Sequence, residues 1–310
     1  MTARADESLR VAAVLSADAT PIGYSSLGDG PGLIIVGGVL SNGSDYVPLA
    51  RALAETFEVH VMDRRGRLSS GPQRRSHSID DECADLIAVA AATGATAVFG
   101  HSFGGLVALE TARQHPFFDQ LIVYEPGVPI RGQFQFSWLD GYQHLLAHGD
   151  RRGAFAWMVK HAGFAPRPLA VMPLWYVRAV LRLAIHARRW ASMDPLLEAN
   201  LTEHRIIAAL DAPSAERYST ITARTVLLGG AKSPGIISQE LVAELATVIP
   251  DAAVAILPGL GHLAPQEQPG QIAAAILAHH NPIHRATPNP ARRHDPPVLP
   301  RPTGPPPQAT

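Results

Sequence analysis

The sequence predicts an α/β fold: a mostly parallel central sheet with helices on both faces and an inserted helical cap. Short apolar runs alternate with helical patterns up to about residue 130. The alternation stops between residues 131 and 215, where only helical patterns occur, and resumes from 216 to 281. Strands separated by helices at this spacing belong to a parallel sheet covered on both sides.

In order, the runs GLIIVGG (32–38), FEVHVMD (57–63), TAVFGHS (96–102) and QLIVYEP (120–126) read as buried strands. Between them, YVPLARALAE (46–55), SIDDECADLIAVAAATG (78–94) and FGGLVALETARQH (103–115) read as helices. Residues 131–215 are aromatic-rich helical pieces, with Asp150 and Asp194 as expected N-caps and Pro195 in a first turn. The strands TVLLGG (225–230) and AAVAILPG (252–259) and the helices SQELVAELATVI (238–249) and PGQIAAAILAHH (269–280) complete the core. The expected domains are thus a first core part (1–130), a cap (131–215), a second core part (216–281) and a tail (282–310). That tail is rich in Pro and poor in large apolar residues, so it is expected to be disordered.

Composition excludes several function classes. Of 310 residues, 46% are apolar, enough for a sizeable core. Lys plus Arg (26) almost balance Asp plus Glu (27), so no global field favours nucleic acid or a membrane surface, and neither is expected as a partner. A single cysteine, Cys83, permits no intramolecular disulfide, and charges interrupt the first twenty residues too often for a signal peptide or span. The expectation is a soluble cytoplasmic protein whose partner is a small molecule; its oligomeric state is not read from sequence. No His, Cys, Asp or Glu cluster has metal-ligand spacing, and no G-x-G-x-x-G follows the first strand, so neither metal nor cofactor is expected. The arginine-rich stretch DRRGRLSSGPQRR (63–75) has no Walker-type spacing and reads as a solvated loop.

The chemistry concentrates in VFGHSFGG (98–105). Ser102 follows a strand and opens a small-residue helix, as a nucleophile elbow requires, and the turn aims the Phe103 N–H at a reacting oxygen. His101, beside it, points away and supports the turn. Among 14 histidines, His262 is singled out because LGHLAP (260–265) follows the last strand, giving the order Ser first, His last.

With SADATPIGYSSLGDGPGLIIVGG, DRRGR, GHSFGG and PGLGHLAP in view, the chain resembles the α/β-hydrolase superfamily over roughly residues 10–281. The resemblance implies a second oxyanion N–H from the loop after GLIIV. The usual His-Gly is replaced there by Gly37-Gly38, so Val39 inherits the role. It also implies an acid after TVLLGG, where this chain has Ala231, Lys232 and Ser233. Lys cannot accept a histidine's hydrogen bond. Either the triad is incomplete or the acid lies elsewhere. The strongest alternative is Glu125, at the end of the strand after the elbow helix and expected extended ahead of Pro126, a position some lipases and lactone hydrolases of the superfamily use. Asp251 and Glu240 are poorer placed.

The expected activity is that of a serine hydrolase on a carboxylic ester or lactone, with Ser102, His262 and Glu125 catalytic and Val39 and Phe103 forming the oxyanion hole. Carbon–carbon bond hydrolysis, perhydrolysis, and silent small-ligand binding are the alternatives. Aromatic residues of the cap (Trp138, Phe155, Trp157, Trp175 and Tyr176) suggest an apolar, fairly bulky substrate part. The expected pocket lining is Leu40, Trp138, Phe155, Trp157, Trp175 and Leu263.

Overall fold

The central strands are mostly apolar on both faces because each is covered twice. In β3 (Gly32–Val36), Leu33 and Ile35 enter one core cluster while Ile34 and Val36 enter the other. In β6 (Gln120–Tyr124), Ile122 and Tyr124 face the first side and Leu121 and Val123 the second. Alternate side chains of a strand leave opposite faces, so a sheet with helices on both faces reads as continuous apolar runs.

The computed structural model describes residues 8–130, 132, 134–163, 165–210, 214–233 and 239–280. The Pro-rich tail and the start of the helix at 238–249 therefore fall outside the described residues. With β1 (Arg10–Leu15), β2 (Pro21–Leu27), β4 (Glu58–Met62), β5 (Ala97–His101), β7 (Arg224–Gly230) and β8 (Ala252–Leu257), the sheet runs in the order β1-β2-β4-β3-β5-β6-β7-β8. Only the pairings of β2, with β1 and with β4, are antiparallel; the others are parallel. β1 is mostly exposed, so it carries no buried apolar run to announce it.

Helices α1 (Val47–Leu53) and α12 (Pro269–His279), with the short α11 (Ala264–Glu267), cover one face. Helices α2 (Ile79–Thr93), α3 (Phe103–Gln114) and α10 (Gln239–Val248) cover the other. Helix α2 starts where Ser78 accepts from the Asp81 N–H and stops at Gly94, whose φ of 69° ends the helix in the left-handed region.

Between β6 and β7 the chain forms only helices among its described residues: α4 (Leu139–Ala147), α5 (Arg151–His161), α6 (Arg167–Ala170), α7 (Leu174–Ala184), α8 (Ala187–Met193) and α9 (Leu197–Ala209), apart from two 3-10 turns, Asp194–Leu196 and Ala215–Tyr218. They bury a cluster of their own that includes Trp138, Tyr142, Phe155 and Leu197. Asp150 caps α5 by accepting from Gly153 N–H. Asp194 does not cap a helix in the expected way: it opens the first of these 3-10 turns, and its carboxylate takes Arg151 at 2.9 Å instead. No helix among the described residues is long and apolar enough to cross a membrane.

The loop after β4 overturns the expectation of a solvated arginine stretch for its first half, whereas Arg74 and Arg75 are exposed. Arg64, Arg65 and Arg67 are 1%, 1% and 3% exposed. Arg65 grips Asp85 at 2.6 Å and Asp18 at 2.7 Å, while Arg64 meets Glu82 at 3.1 Å and Glu203 at 2.8 Å. A guanidinium can be buried when carboxylates occupy its fork, and here these come from β1–β2, α2 and α9. Those partners lie far along the chain, so the local sequence gives no sign of them.

Candidate active site

The site is built at the carboxyl ends of the central strands, where open α/β sheets place their ligands. Chain direction reverses sharply between β5 and α3, and Ser102 sits at the turn with φ 55° and ψ −118°. A non-glycine residue with positive φ is strained, and it persists only where its surroundings enforce it. The flanking glycines make the turn possible: a Cβ on Gly104 would lie 2.2 Å from the Val36 carbonyl oxygen, and one on Gly100 2.5 Å from that of Gly104. Phe103 is the first residue of α3, so its N–H has no acceptor inside the helix.

The structure brings the three expected catalytic side chains into one hydrogen-bonded series. His262 Nε2 lies 3.1 Å from Ser102 Oγ, and His262 Nδ1 lies 2.7 Å from Glu125 Oε2. A carboxylate accepts, so Nδ1 carries the proton and Nε2 presents its lone pair to the serine hydroxyl. Glu125 is 1% exposed, and its other oxygen accepts the Gly230 N–H at 2.7 Å. Glu125 is not extended as expected; its φ is 47°, in the left-handed region, and its own N–H donates to the Leu228 carbonyl at 3.0 Å. That twist turns the carboxylate across β7 toward His262. The last residue of β7 thus contributes a backbone donor next to the place where a carboxylate was sought, and Lys232, in the loop that follows, is exposed.

The loop after β3 lies against the nucleophile: a Cβ on Gly38 would come within 3.1 Å of the Ser102 Cβ. Val39 and Phe103 both line the cavity above Ser102. Tyr46 organises this corner. Its hydroxyl accepts the Gly38 N–H at 2.9 Å and the Gln266 amide at 3.2 Å, and donates to His101 Nδ1 at 2.7 Å. The direction of the last bond follows from the other ring nitrogen, since His101 Nε2–H donates to the His262 carbonyl at 2.8 Å. Burial, helped by the nearby His262, pushes the His101 pKa well below its ordinary value, so the ring stays neutral as this chain of bonds requires. His101 therefore does more than point away from the serine: it links the loop after β3 to the backbone of the histidine loop.

The cavity holds about 190 Å³ and is mainly apolar, with Leu40, Phe155, Met158 and Leu263 among its walls. A wider cavity of about 630 Å³ adjoins it, sharing Phe155, Arg189 and Leu263. The three tryptophans of the expected lining are elsewhere. Trp138 is buried and packs edge-on against His204, which does line the cavity, and Trp157 donates to the Trp138 carbonyl at 2.9 Å. Trp175 is 70% exposed on α7. Apolar aromatic content in a helical segment marks its own core as readily as a ligand wall, and here the core took two of the three.

A model described as the alpha/beta hydrolase family matches residues 33–275. The chain belongs to the alpha/beta hydrolase family. It is 28% identical over 253 residues to an N-formylmaleamate deformylase of Pseudomonas putida, covering 77% of this chain and 84% of that protein. A pimeloyl-(acyl-carrier protein) methyl ester esterase of Xanthomonas campestris is 33% identical over 90 residues, 29% of this chain and 34% of that protein. Among solved structures, an alpha/beta hydrolase from Sphaerobacter thermophilus matches with a TM-score of 0.72 at 28% identity, covering 86% of this chain and 99% of that one.

Within this alpha/beta hydrolase, sequence reasoning missed the residues that act through others. Tyr46 opens a helical pattern and Gln266 follows LGHLAP, each without any distinguishing mark. Arg189 lies in α8 and donates to Asp45 and to Gln266, each at 3.1 Å, tying the helical insert to the core at the cavity wall. Among the described residues, no group of three or more His, Cys, Asp or Glu side chains is arranged to hold a metal ion.

Proposed function

We propose that the protein is a serine hydrolase that cleaves a carboxylic ester or lactone through an acyl-enzyme on Ser102. The observation that carries this reading is the unbroken series from Ser102 Oγ through His262 to Glu125, with contacts of 3.1 and 2.7 Å. Ser102 Oγ attacks the carbonyl carbon as its proton passes to His262 Nε2, and Glu125 steadies the imidazolium that forms. The carbonyl oxygen becomes an oxyanion held by the Phe103 and Val39 N–H groups, each worth about 3 kcal/mol in comparable sites. His262 then protonates the departing alkoxide. Water attacks the acyl-enzyme with His262 taking its proton, and that proton returns to Ser102 as the acid leaves.

The helical insert serves as the cap over this chemistry, since Phe155, Met158, Arg189 and Met193 close the cavity from above. Its small apolar volume suits an acyl part of modest size rather than the bulky one expected from the tryptophans, with the leaving group directed to the wider outer cavity. A second reading, hydrolysis of an N-acyl bond, is favoured by the 28% identity to a deformylase. The same residues serve both, because only the protonated leaving atom differs.

A fluorophosphonate probe tests the nucleophile. The wild-type protein should label and Ser102→Ala should not; a folded wild-type protein that stays unlabelled overturns the proposal. Turnover of p-nitrophenyl esters of graded acyl length, lactones and N-formyl amides then ranks the two readings. Turnover confined to the amides would replace the first by the second.

A further inference from the structure

We propose that Arg64 and Arg67 are positioning residues for the oxyanion hole, set in place by the insert residue Glu203. This rests on the reading of Val39 as an oxyanion donor. The Val39 N–H and the Gly38 C=O belong to one trans peptide unit, so they point in opposite directions and whatever fixes one fixes the other. The Gly38 carbonyl is held by three donors on its outer side: Ser41 Oγ at 2.8 Å, Arg64 Nη2 at 3.3 Å and Arg67 Nη2 at 3.5 Å. The Gly38 N–H is fixed separately by Tyr46. Gly38 lacks a side chain that could lock the peptide, and no histidine precedes it, so these external contacts take over the anchoring.

The same guanidinium reaches the second oxyanion donor. The Arg64 head lies 4.5 Å from the centre of the Phe103 ring, and Phe103 supplies the other N–H. Arg67 also donates to the Ser41 carbonyl at 2.8 Å, stiffening the loop behind Val39. Both arginines meet one carboxylate oxygen of Glu203 on α9, at 2.8 and 2.7 Å, and Glu203 is fully buried. Seating the insert therefore places the arginines, and the arginines orient the peptide whose N–H faces the cavity. A cationic donor on the carbonyl also polarises the peptide, making its N–H a better donor as negative charge develops.

The test compares Ser41→Ala, Arg67→Lys and Arg64→Lys with Arg65→Lys. Arg65 is equally buried in the same loop but pairs with Asp18 and Asp85 and does not touch Gly38. Steady-state turnover of a p-nitrophenyl ester and inhibition by a trifluoromethyl ketone, whose hemiketal oxyanion mimics the intermediate, are both measured. The three clamp variants should lose about 10- to 100-fold in kcat, a fraction of the loss from deleting a whole donor, with KM little changed. They should lose ketone affinity by a similar factor. Arg65→Lys should lower Tm while keeping kcat. Ser41→Ala introduces no unpaired buried charge, so it keeps the test valid if an arginine variant does not fold. Clamp variants with wild-type kcat and ketone affinity, or losses matched by Arg65→Lys, overturn the proposal while leaving the serine hydrolase reading intact. A folded wild-type protein without turnover or labelling overturns both.

Discussion

Two regions of this molecule bury carboxylates against cationic or hydrogen-bonding partners, and they use the same pairing for opposite ends. At the sheet edge, Glu125 meets a histidine that is 17% exposed and faces a cavity. Beneath the insert, Asp85, Glu82 and Glu203 meet guanidinium groups that are closed off from solvent. Histidine can give up its proton near neutral pH, whereas arginine cannot, so only the first pairing can cycle through a reaction. The second holds one arrangement. The two pairs differ in the partner's chemistry and its access to the cavity, rather than in the burial of the acid.

The contrast breaks most sharply at Glu125. Glu125→Gln should reduce kcat by roughly a thousandfold or more, since it loses control of the His262 tautomer, while far-UV circular dichroism stays native. A near-wild-type rate would move the acid elsewhere. Asp85→Ala should show the reverse pattern, losing about 3–5 kcal/mol of stability because it strips the buried Arg65 of a two-point partner. Thermal denaturation should record a Tm lower by on the order of 10 °C, with kcat per folded molecule retained.

A smaller effect comes from pH. Burial alone would raise the Glu82 pKa, but Arg64 and the hydrogen bond with His77 outweigh it and hold the group down at about 2. A folded-state pKa below the ordinary 4.5 gives stability that is present above that value and fades as pH falls toward 2. Melting curves between about pH 5 and about pH 3 should fall more steeply for wild type than for Glu82→Gln. Parallel slopes would show that Glu82 contributes no pH-dependent stability. Smallest of all, Lys232→Ala and Asp251→Asn, whose side chains are exposed, should change kcat by no more than about twofold.

Ser102 was legible because a strand, a sharp turn and a small-residue helix leave their mark within eight residues. His262 was legible because it follows the last strand. Glu125 emerged from an absence after β7, and the neighbouring strand is what makes the substitution workable: Tyr124 pairs with Leu228, so the ends of β6 and β7 lie side by side. The twist at Glu125 is not legible, because the residue before a proline reads as extended unless its surroundings impose something else. The burial of the arginines is illegible for a different reason. Arg64 and Glu203 are 139 positions apart in the chain, and no window of local sequence joins them. The places of the tryptophans are not legible because composition reports that a segment buries something, without saying whether it buries itself or a ligand.

Cys83 lies on α2 under the sheet, and burial raises its thiol to about 12. At working pH almost none of it is thiolate, so it should be inert to maleimides and iodoacetamides in the native protein. A cysteine placed at Trp175, on the outer face of α7, would then be the sole labelled position. The natural sequence thus offers a dark background on which a single fluorophore or spin label can report how the insert moves over the cavity during turnover.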